Sequence, residues 1–408
     1  MRILMPCAAF PPFADGGGPI SSLLLAKMLV AAGHDVRVVN VGEDDRHEIY
    51  EGVPVHRIRS LNIYWNYYTS RPAWKKLVWH ALENGNPRAF LAMRREISDF
   101  RPDIMLTVSI ENINVASWAA ARAAGIPVAH TIFSAFMMCW NGVMQRDGKN
   151  CPAQCASCYA GSFGRRQFSR LVDAVIGESR DIVQRHLDEG YFPRAAAYRV
   201  PAVIDAVHAD APRSLPADRP LRVGFLGVQT RFKGFGVLAE AARLLSAQGN
   251  VEFVIGGTGR DSFAEETRAL FPVNRTRFLG WTTPAEFFPQ VDLLVYPTIG
   301  REAFGRATIE AFSHAVPVIS TDIGGVAENI ADGVNGYHAA AGDAAALAAC
   351  IERIAASPDL YARLSKGALE AAADYLEPAV CSILESALSR TLERHGGATR
   401  RDVREASR

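Results

Sequence analysis

Short apolar runs, each followed by a segment of helical periodicity, recur along almost the whole chain. That alternation points to parallel sheets with helices on both faces, because parallel strands need crossover connections and lie buried on both sides. In the first half the runs are Ile3–Met5, Asp35–Val39, Val53–Ile58, Asp103–Val108, Pro127–His130 and Asp173–Gly177. The first helix is expected over Ile20–Ala32, where Ile20, Leu23, Leu24, Met28 and Ala31 share a face and Gly33 ends it. Between Val203 and Pro220 the pattern lapses into Pro212, Pro216, Pro220 and scattered charges, the composition of a connection. It restarts with Leu221–Leu226, a helix over Phe235–Gln248, Val251–Ile255, Thr276–Leu279, Asp292–Tyr296, Val316–Ser320 and Gly336–His338.

The expected organisation is an α/β domain over 1–203, a linker over 204–220, a second α/β domain over 221–377, a helix over 378–395, and a disordered tail over 396–408. The tail is expected from Arg400, Arg401, Arg404 and Arg408 with almost nothing apolar between them. A length of 408 residues suits two such domains at roughly 100 to 200 residues each. A formal net charge of +1 gives no global bias toward nucleic acid, and none is expected as a partner. No stretch approaches the ~20 apolar residues of a membrane span, and Pro6, Pro11 and Pro12 interrupt the N-terminal run. A cytoplasmic protein is expected, with peripheral contact at the inner face of the membrane left open.

Three loops carry chemistry. Asp15-Gly16-Gly17-Gly18 follows the first strand and precedes its helix, where glycine lets backbone approach a phosphate and the helix N-terminus offers N–H groups. The second half repeats the arrangement with Gly227, then Arg231 and Lys233-Gly234, cations at the sheet edge where open α/β sheets bind ligands. Gly256-Gly-Thr-Gly259 adds a further glycine loop. Most specific is Arg301-Glu302-Ala-Phe304-Gly305-Arg-Ala-Thr-Ile-Glu310. With a helix starting near Phe304, the two carboxylates lie up to ~12 Å apart, so that one can reach a sugar and the other a ribose, with phosphates at the helix N-terminus between them.

With these motifs the chain resembles glycosyltransferase family 4, retaining enzymes of GT-B fold: two Rossmann-like domains whose parallel sheets face each other across a deep cleft. The resemblance extends through Phe278–Trp281, Asp292–Pro297, Ala315–Gly325, Glu328 and Asp332–Tyr337. It implies that Lys233 contacts the diphosphate of a nucleotide-sugar donor, Glu302 the transferred sugar and Glu310 the ribose. It implies backbone N–H groups from Phe304 and Gly305, approach of Gly17 and Gly18 to the phosphates, and His130 facing the sugar near the reacting centre. The final helix is expected to cross back to the first domain. The family usually carries arginine after the glycine at 227; here that residue is Val228, and Arg231 is the nearby substitute.

The implied activity is retaining transfer from a UDP- or GDP-sugar to a glycan, lipid-linked or small-molecule acceptor, in polysaccharide or glycoconjugate synthesis. Retention implies a front-side route in which the departing phosphate helps take the acceptor's proton, with Lys233 and Arg231 stabilising the leaving group. The chain has no Asp-x-Asp, so no catalytic divalent cation is expected. A non-catalytic nucleotide-sugar-binding subunit and another GT-B enzyme, an epimerase or phosphorylase, stay open as alternatives. A dehydrogenase is disfavoured because the first turn lacks Gly-x-Gly-x-x-Gly.

Two segments stand outside these motifs. In Asn62–Trp79, Tyr64, Trp65, Tyr67, Tyr68, Trp74 and Trp79 alternate with Arg71, Lys75 and Lys76, a composition suited either to a membrane interface or to packing within the first domain. In the insertion over 134–162, Cys139, Cys151, Cys155 and Cys158 are spaced as ligands of a structural metal, zinc before an iron–sulfur cluster. Disulfides or four free thiols remain open alternatives for them.

Overall fold

The computed structural model describes residues 1–12, 16–66, 71–246, 250–259 and 261–406, with side chains to 396. The strands are β1 (Arg2–Cys7), β2 (Asp35–Gly42), β3 (Arg46–Tyr50), β4 (Val53–Arg59), β5 (Ile104–Val108), β6 (Val128–Ile132), β7 (Gln145–Arg146), β8 (Lys149–Asn150), β9 (Ala174–Gly177) and β10 (Ala196–Arg199), then β11 (Leu221–Leu226), β12 (Val251–Gly256), β13 (Thr276–Gly280), β14 (Leu293–Tyr296), β15 (Val318–Thr321) and β16 (Gly336–Ala339). The helices are α1 (Gly17–Ala31), α2 (Ala73–Leu82), α3 (Pro87–Phe100), α4 (Ala116–Ala123), α5 (Ala156–Gly161), α6 (Phe163–Phe168) and α7 (Arg180–Asp188), followed by α8 (Phe235–Leu245), α9 (Ser262–Arg268), α10 (Pro284–Phe287), α11 (Arg306–Ser313), α12 (Ala344–Ala355), α13 (Pro358–Ala372) and α14 (Glu377–Ala406).

The chain divides into two compact units: 1–144 with 151–203 and 380–408, and 145–150 with 204–379. In the first unit eight strands run in the order β10-β9-β6-β5-β1-β2-β4-β3. All pairs are parallel except β3 with β4. Every residue of β5 and β6 is buried, which is why those strands are continuous apolar runs. The sequence pattern misses β3, Arg-His-Glu-Ile-Tyr, because it is a half-exposed edge strand rich in polar residues. The core joins Leu25 and Leu29 of α1 to Val380, Leu384 and Leu388 of α14.

The second unit holds six parallel strands in the order β13-β12-β11-β14-β15-β16. Its core packs Leu238, Ala242 and Leu245 of α8 with Leu347 and Ile351 of α12 against Val223, Ile255 and Val295.

Three expectations are corrected. Residues 204–220 belong to the second unit: Ile204 is buried and bridges to Leu376, and the Arg213 guanidinium donates to the Val291 and Phe288 carbonyls. Helix α14, expected to end at 395, continues to Ala406. The cysteine-bearing insertion holds its shape by burying Phe136, Met137, Met138 and Met144, and its hairpin β7–β8 clusters with the second unit, where Asn150 Nδ2 donates to Ile299 O at 2.7 Å.

Candidate functional site

The second unit assembles its polar centre at the carboxyl edge of its sheet. The loop after β11 ends at Gly234, which has φ 68° and where a Cβ would sit 1.7 Å from Pro297 O, so only glycine fits. That close approach lets Phe232 O accept from Ile299 N and Gly300 N, both at 3.0 Å. The loop is thereby fastened to the residues that follow β14, and Lys233 is set beside Glu302. Lys233 Nζ lies 2.5 Å from Glu302 Oε2 and 2.6 Å from Tyr296 Oη. The Tyr296 hydroxyl donates to the same Oε2 at 2.6 Å. On the other side, Gly325 N donates to Glu302 O at 2.7 Å and fixes the backbone that carries the carboxylate.

Glu302 Oε1 is buried and has no hydrogen-bond partner. An ionised oxygen left in that state is costly, by more than the ~1–3 kcal/mol of a neutral group. The centre therefore offers an ammonium, a carboxylate oxygen awaiting a donor, and the buried Tyr296 phenol, whose pKa burial and the Glu302 charge push well above its usual value.

Four residues beyond Glu302, α11 begins. Gly305 takes φ 84° as its N-cap, and its carbonyl accepts from Thr308 N and Oγ1. Phe304 is buried, with its carbonyl held by Asn329 Nδ2 at 2.9 Å. The first turn of such a helix leaves N–H groups without intrahelical acceptors and carries partial positive charge. Glu310, on the next turn, pairs with Arg306 Nε at 2.8 Å. Burial raises the Glu310 pKa, and the Arg306 charge opposes that rise.

Arg231 is exposed, with its guanidinium 4.3 Å over the Phe263 ring. Gly227 has φ 153°, its N–H bonded to Gly256 O, and Val228 is exposed. In the first unit, Gly17 and Gly18 open α1 after β1, and the side chain nearest a Cβ at Gly18 is Phe133, at 3.9 Å. Asp15, Tyr67 and Tyr68 lie outside the described residues.

His130, expected to face the sugar, is buried on β6 of the first unit. It is 1% exposed, bonds Thr107 Oγ1 at 2.9 Å and packs against Trp118 and Phe192, and burial pushes its pKa down to about 3. It is a neutral core histidine. Among the described residues no group of three or more His, Cys, Asp or Glu side chains is placed to hold a metal ion. Cys139 and Cys158 are buried with sulfurs 4.0 Å apart, Cys139 donates to Asn141 Oδ1, and Cys155 faces Ser157 Oγ. Spacing alone carries no information on where each thiol points.

Tyr296 is the site residue that motif reading missed. Its signal is faint: a phenol at the carboxyl end of a buried strand, directly before Pro297, whose hydroxyl must find a partner.

The sequence model described as "Glycosyl transferase 4-like domain" matches residues 16–203, and that described as "Glycosyl transferases group 1" matches 220–357. An uncharacterized 42.6 kDa protein from the cps region of Klebsiella pneumoniae is 26% identical over 80% of this chain and 87% of its own. Among solved structures, sucrose-phosphate synthase from Thermosynechococcus elongatus superposes with TM-score 0.71 at 20% identity over the whole of both chains. Anabaena HepE, in complex with UDP, gives 0.70 at 16% identity over 96% of this chain and 100% of its own. Two parallel-sheet units in this order are the GT-B fold, and the chain belongs to the family 4 type of glycosyltransferase.

Proposed function

We propose that this enzyme moves a sugar from a nucleoside diphosphate sugar to a hydroxyl of a glycan or lipid-linked acceptor, with retention at the anomeric carbon. The observation that carries the reading is the buried, partnerless Glu302 Oε1 beside the Lys233 ammonium. A hydroxyl of the transferred sugar supplies the missing donor to Oε1. Lys233, paired with Glu302 in the structure, turns to the diphosphate, and N–H groups of the first turn of α11 face the phosphates. Glu310, paired with Arg306 Nε at 2.8 Å, accepts from the ribose hydroxyls.

In this reading the bond from the anomeric carbon to the diphosphate oxygen breaks as the acceptor oxygen bonds to the same carbon on the same face. The acceptor's proton passes to the departing phosphate oxygen. Lys233 stabilises the charge that develops there, the kind of contribution that dominates such catalysis.

The UDP complex of HepE makes uridine nucleotides the first probes, and the cps-region relative supports polysaccharide assembly as the setting. A lipid-linked acceptor would sit at a membrane surface, and α2 fits that role. Trp74, Leu77 and Val78 are exposed on one face beside Lys75. No helix among the described residues is long and apolar enough to cross a membrane.

The test incubates purified protein with UDP- and GDP-sugars and follows nucleotide release by mass spectrometry, with the anomer of the released or transferred sugar read by NMR. Retention is expected. Inversion overturns the mechanism, and failure to bind or turn over any nucleotide sugar overturns the donor reading.

A further inference from the structure

We infer that Tyr296 is a positioning residue for the donor sugar: its hydroxyl holds Glu302 Oε2, leaving Oε1 to the sugar, and remains as the donor on Oε2 when Lys233 turns to the diphosphate. The inference rests on the donor reading above and adds a residue to it.

The hydrogen bonds on the carboxylate are lopsided. Oε2 receives both Lys233 Nζ at 2.5 Å and Tyr296 Oη at 2.6 Å, while Oε1 receives nothing. Lys233 cannot serve Oε2 and a phosphate equally well, so donor binding removes one of those two partners. Without the phenol, Oε2 would then be stranded at a buried charge, and the carboxylate would be free to rotate its oxygens. With it, one oxygen stays anchored and the plane of the carboxylate is retained. The ring is itself immobile: Tyr296 ends β14, is 5% exposed, and lies close enough to Gly305 that a Cβ there would come within 3.4 Å of it. The phenol oxygen also lies 2.6 Å from the Lys233 ammonium, so the hydroxyl bridges the two charged groups. The phenol keeps its proton in this setting, because burial and the neighbouring carboxylate both oppose ionisation.

The test is calorimetric titration of the full chain with UDP, UDP-glucose, GDP and GDP-mannose, for wild type, Tyr296→Phe, Glu302→Ala and the double variant. Tyr296→Phe is expected to leave nucleoside diphosphate affinity within about twofold while lowering nucleotide-sugar affinity about tenfold, the size of one hydrogen bond to a charged group. In the Glu302→Ala background the same change is expected to have no further effect on that ratio, since the phenol acts through the carboxylate. A purely structural role would weaken both ligands alike and persist in the Glu302→Ala background, and either result overturns the inference, as does an unchanged ratio. A thermal melt of each variant identifies one that fails to fold, and the Glu302→Ala comparison is then made with Tyr296→Leu. Wild-type protein that binds none of the four ligands takes down the donor reading and this inference together; binding by wild type with no selective effect of Tyr296→Phe takes down the inference alone.

Discussion

Lys233 Nζ stands 2.5 Å from Glu302 Oε2, so the two charges of the donor centre neutralise each other before any ligand arrives. Removing either one leaves a half-buried partner with only the Tyr296 hydroxyl beside it. Lys233→Ala is therefore expected to slow transfer by ~10² or more, through loss of charge stabilisation on the leaving phosphate. Arg231→Ala is expected to cost far less, because that guanidinium lies over Phe263. Steady-state kinetics on the cognate donor check both. Equal losses in the two variants would restore Arg231 to the role of leaving-group cation.

Much of this centre was legible in the sequence. Lys233-Gly234 and the Glu302 to Glu310 spacing lie in contiguous stretches whose local geometry brings them to one sheet edge. The strands were legible because parallel strands are buried on both faces, whereas β3 hides in polar alternation and β10 in a short half-exposed run. Side-chain direction was not legible. His130 lies on β6, where adjacent residues face opposite sides of the sheet; Thr131 lines a small cavity with Ser21, while His130 faces Trp118. Tyr296 and the four cysteines were likewise undetermined, since a side chain's reach across loops is set by tertiary packing.

Glu83 couples the stability of the first unit to pH. It is 1% exposed and accepts from Asn62 Nδ2 at 2.6 Å and Asn112 N at 3.2 Å; burial, with a smaller contribution from Glu111, raises its pKa from 4.5 to about 8. The folded state thus holds a proton that the unfolded state releases. The stability it confers is fully present below pH 4.5 and is lost as pH rises through about 8. Within that window the slope is about 1.4 kcal/mol per pH unit for one proton. Glu83→Gln, a permanently neutral analogue, is expected to flatten the decline in melting temperature between pH 5.5 and 8.5. Parallel curves for the two proteins would mean that Glu83 is ionised in the fold.

The thiols of the insertion should differ sharply in reactivity. Cys155 is partly exposed, and hydrogen bonds from Ser157 and Cys158 lower its pKa to about 7; burial pushes Cys158 up to about 12. The thiolate is the nucleophile, so iodoacetamide should label Cys155 first among these two, at a rate that rises through pH 7. Cys158 should react only after unfolding. Peptide mapping by mass spectrometry gives the order, and protection of both thiols in reduced native protein would contradict it.

The proposal of a lipid-linked acceptor makes helix α2 the surface to test against membranes. Trp79 anchors it, 4% exposed against Tyr64 and Phe136, and so turns Trp74, Leu77 and Val78 outward at 62%, 61% and 39% exposure. These positions recur at helical spacing and form one apolar stripe, with the Lys75 ammonium 5.5 Å from the Trp74 ring and Lys76 on the opposite side of the helix. An apolar stripe with basic neighbours binds an anionic surface by two additive effects: burial of the rings and aliphatic chains, and about 1 kcal/mol of attraction per lysine near the surface. The electrostatic part should fade as salt shortens the screening length from ~30 Å at 0.01 M to ~8 Å at 0.15 M. Co-sedimentation with vesicles of phosphatidylcholine and phosphatidylglycerol is expected to show binding at low salt and weaker binding at physiological salt. Lys75→Gln/Lys76→Gln should reduce the salt-dependent part, and Trp74→Ala/Leu77→Ser the remainder. Neither pair belongs to the Lys233–Glu302 centre, so neither should change nucleotide affinity. Indifference of the wild-type chain to anionic vesicles at low salt would remove the membrane from the proposal and leave α2 as a surface for soluble glycans.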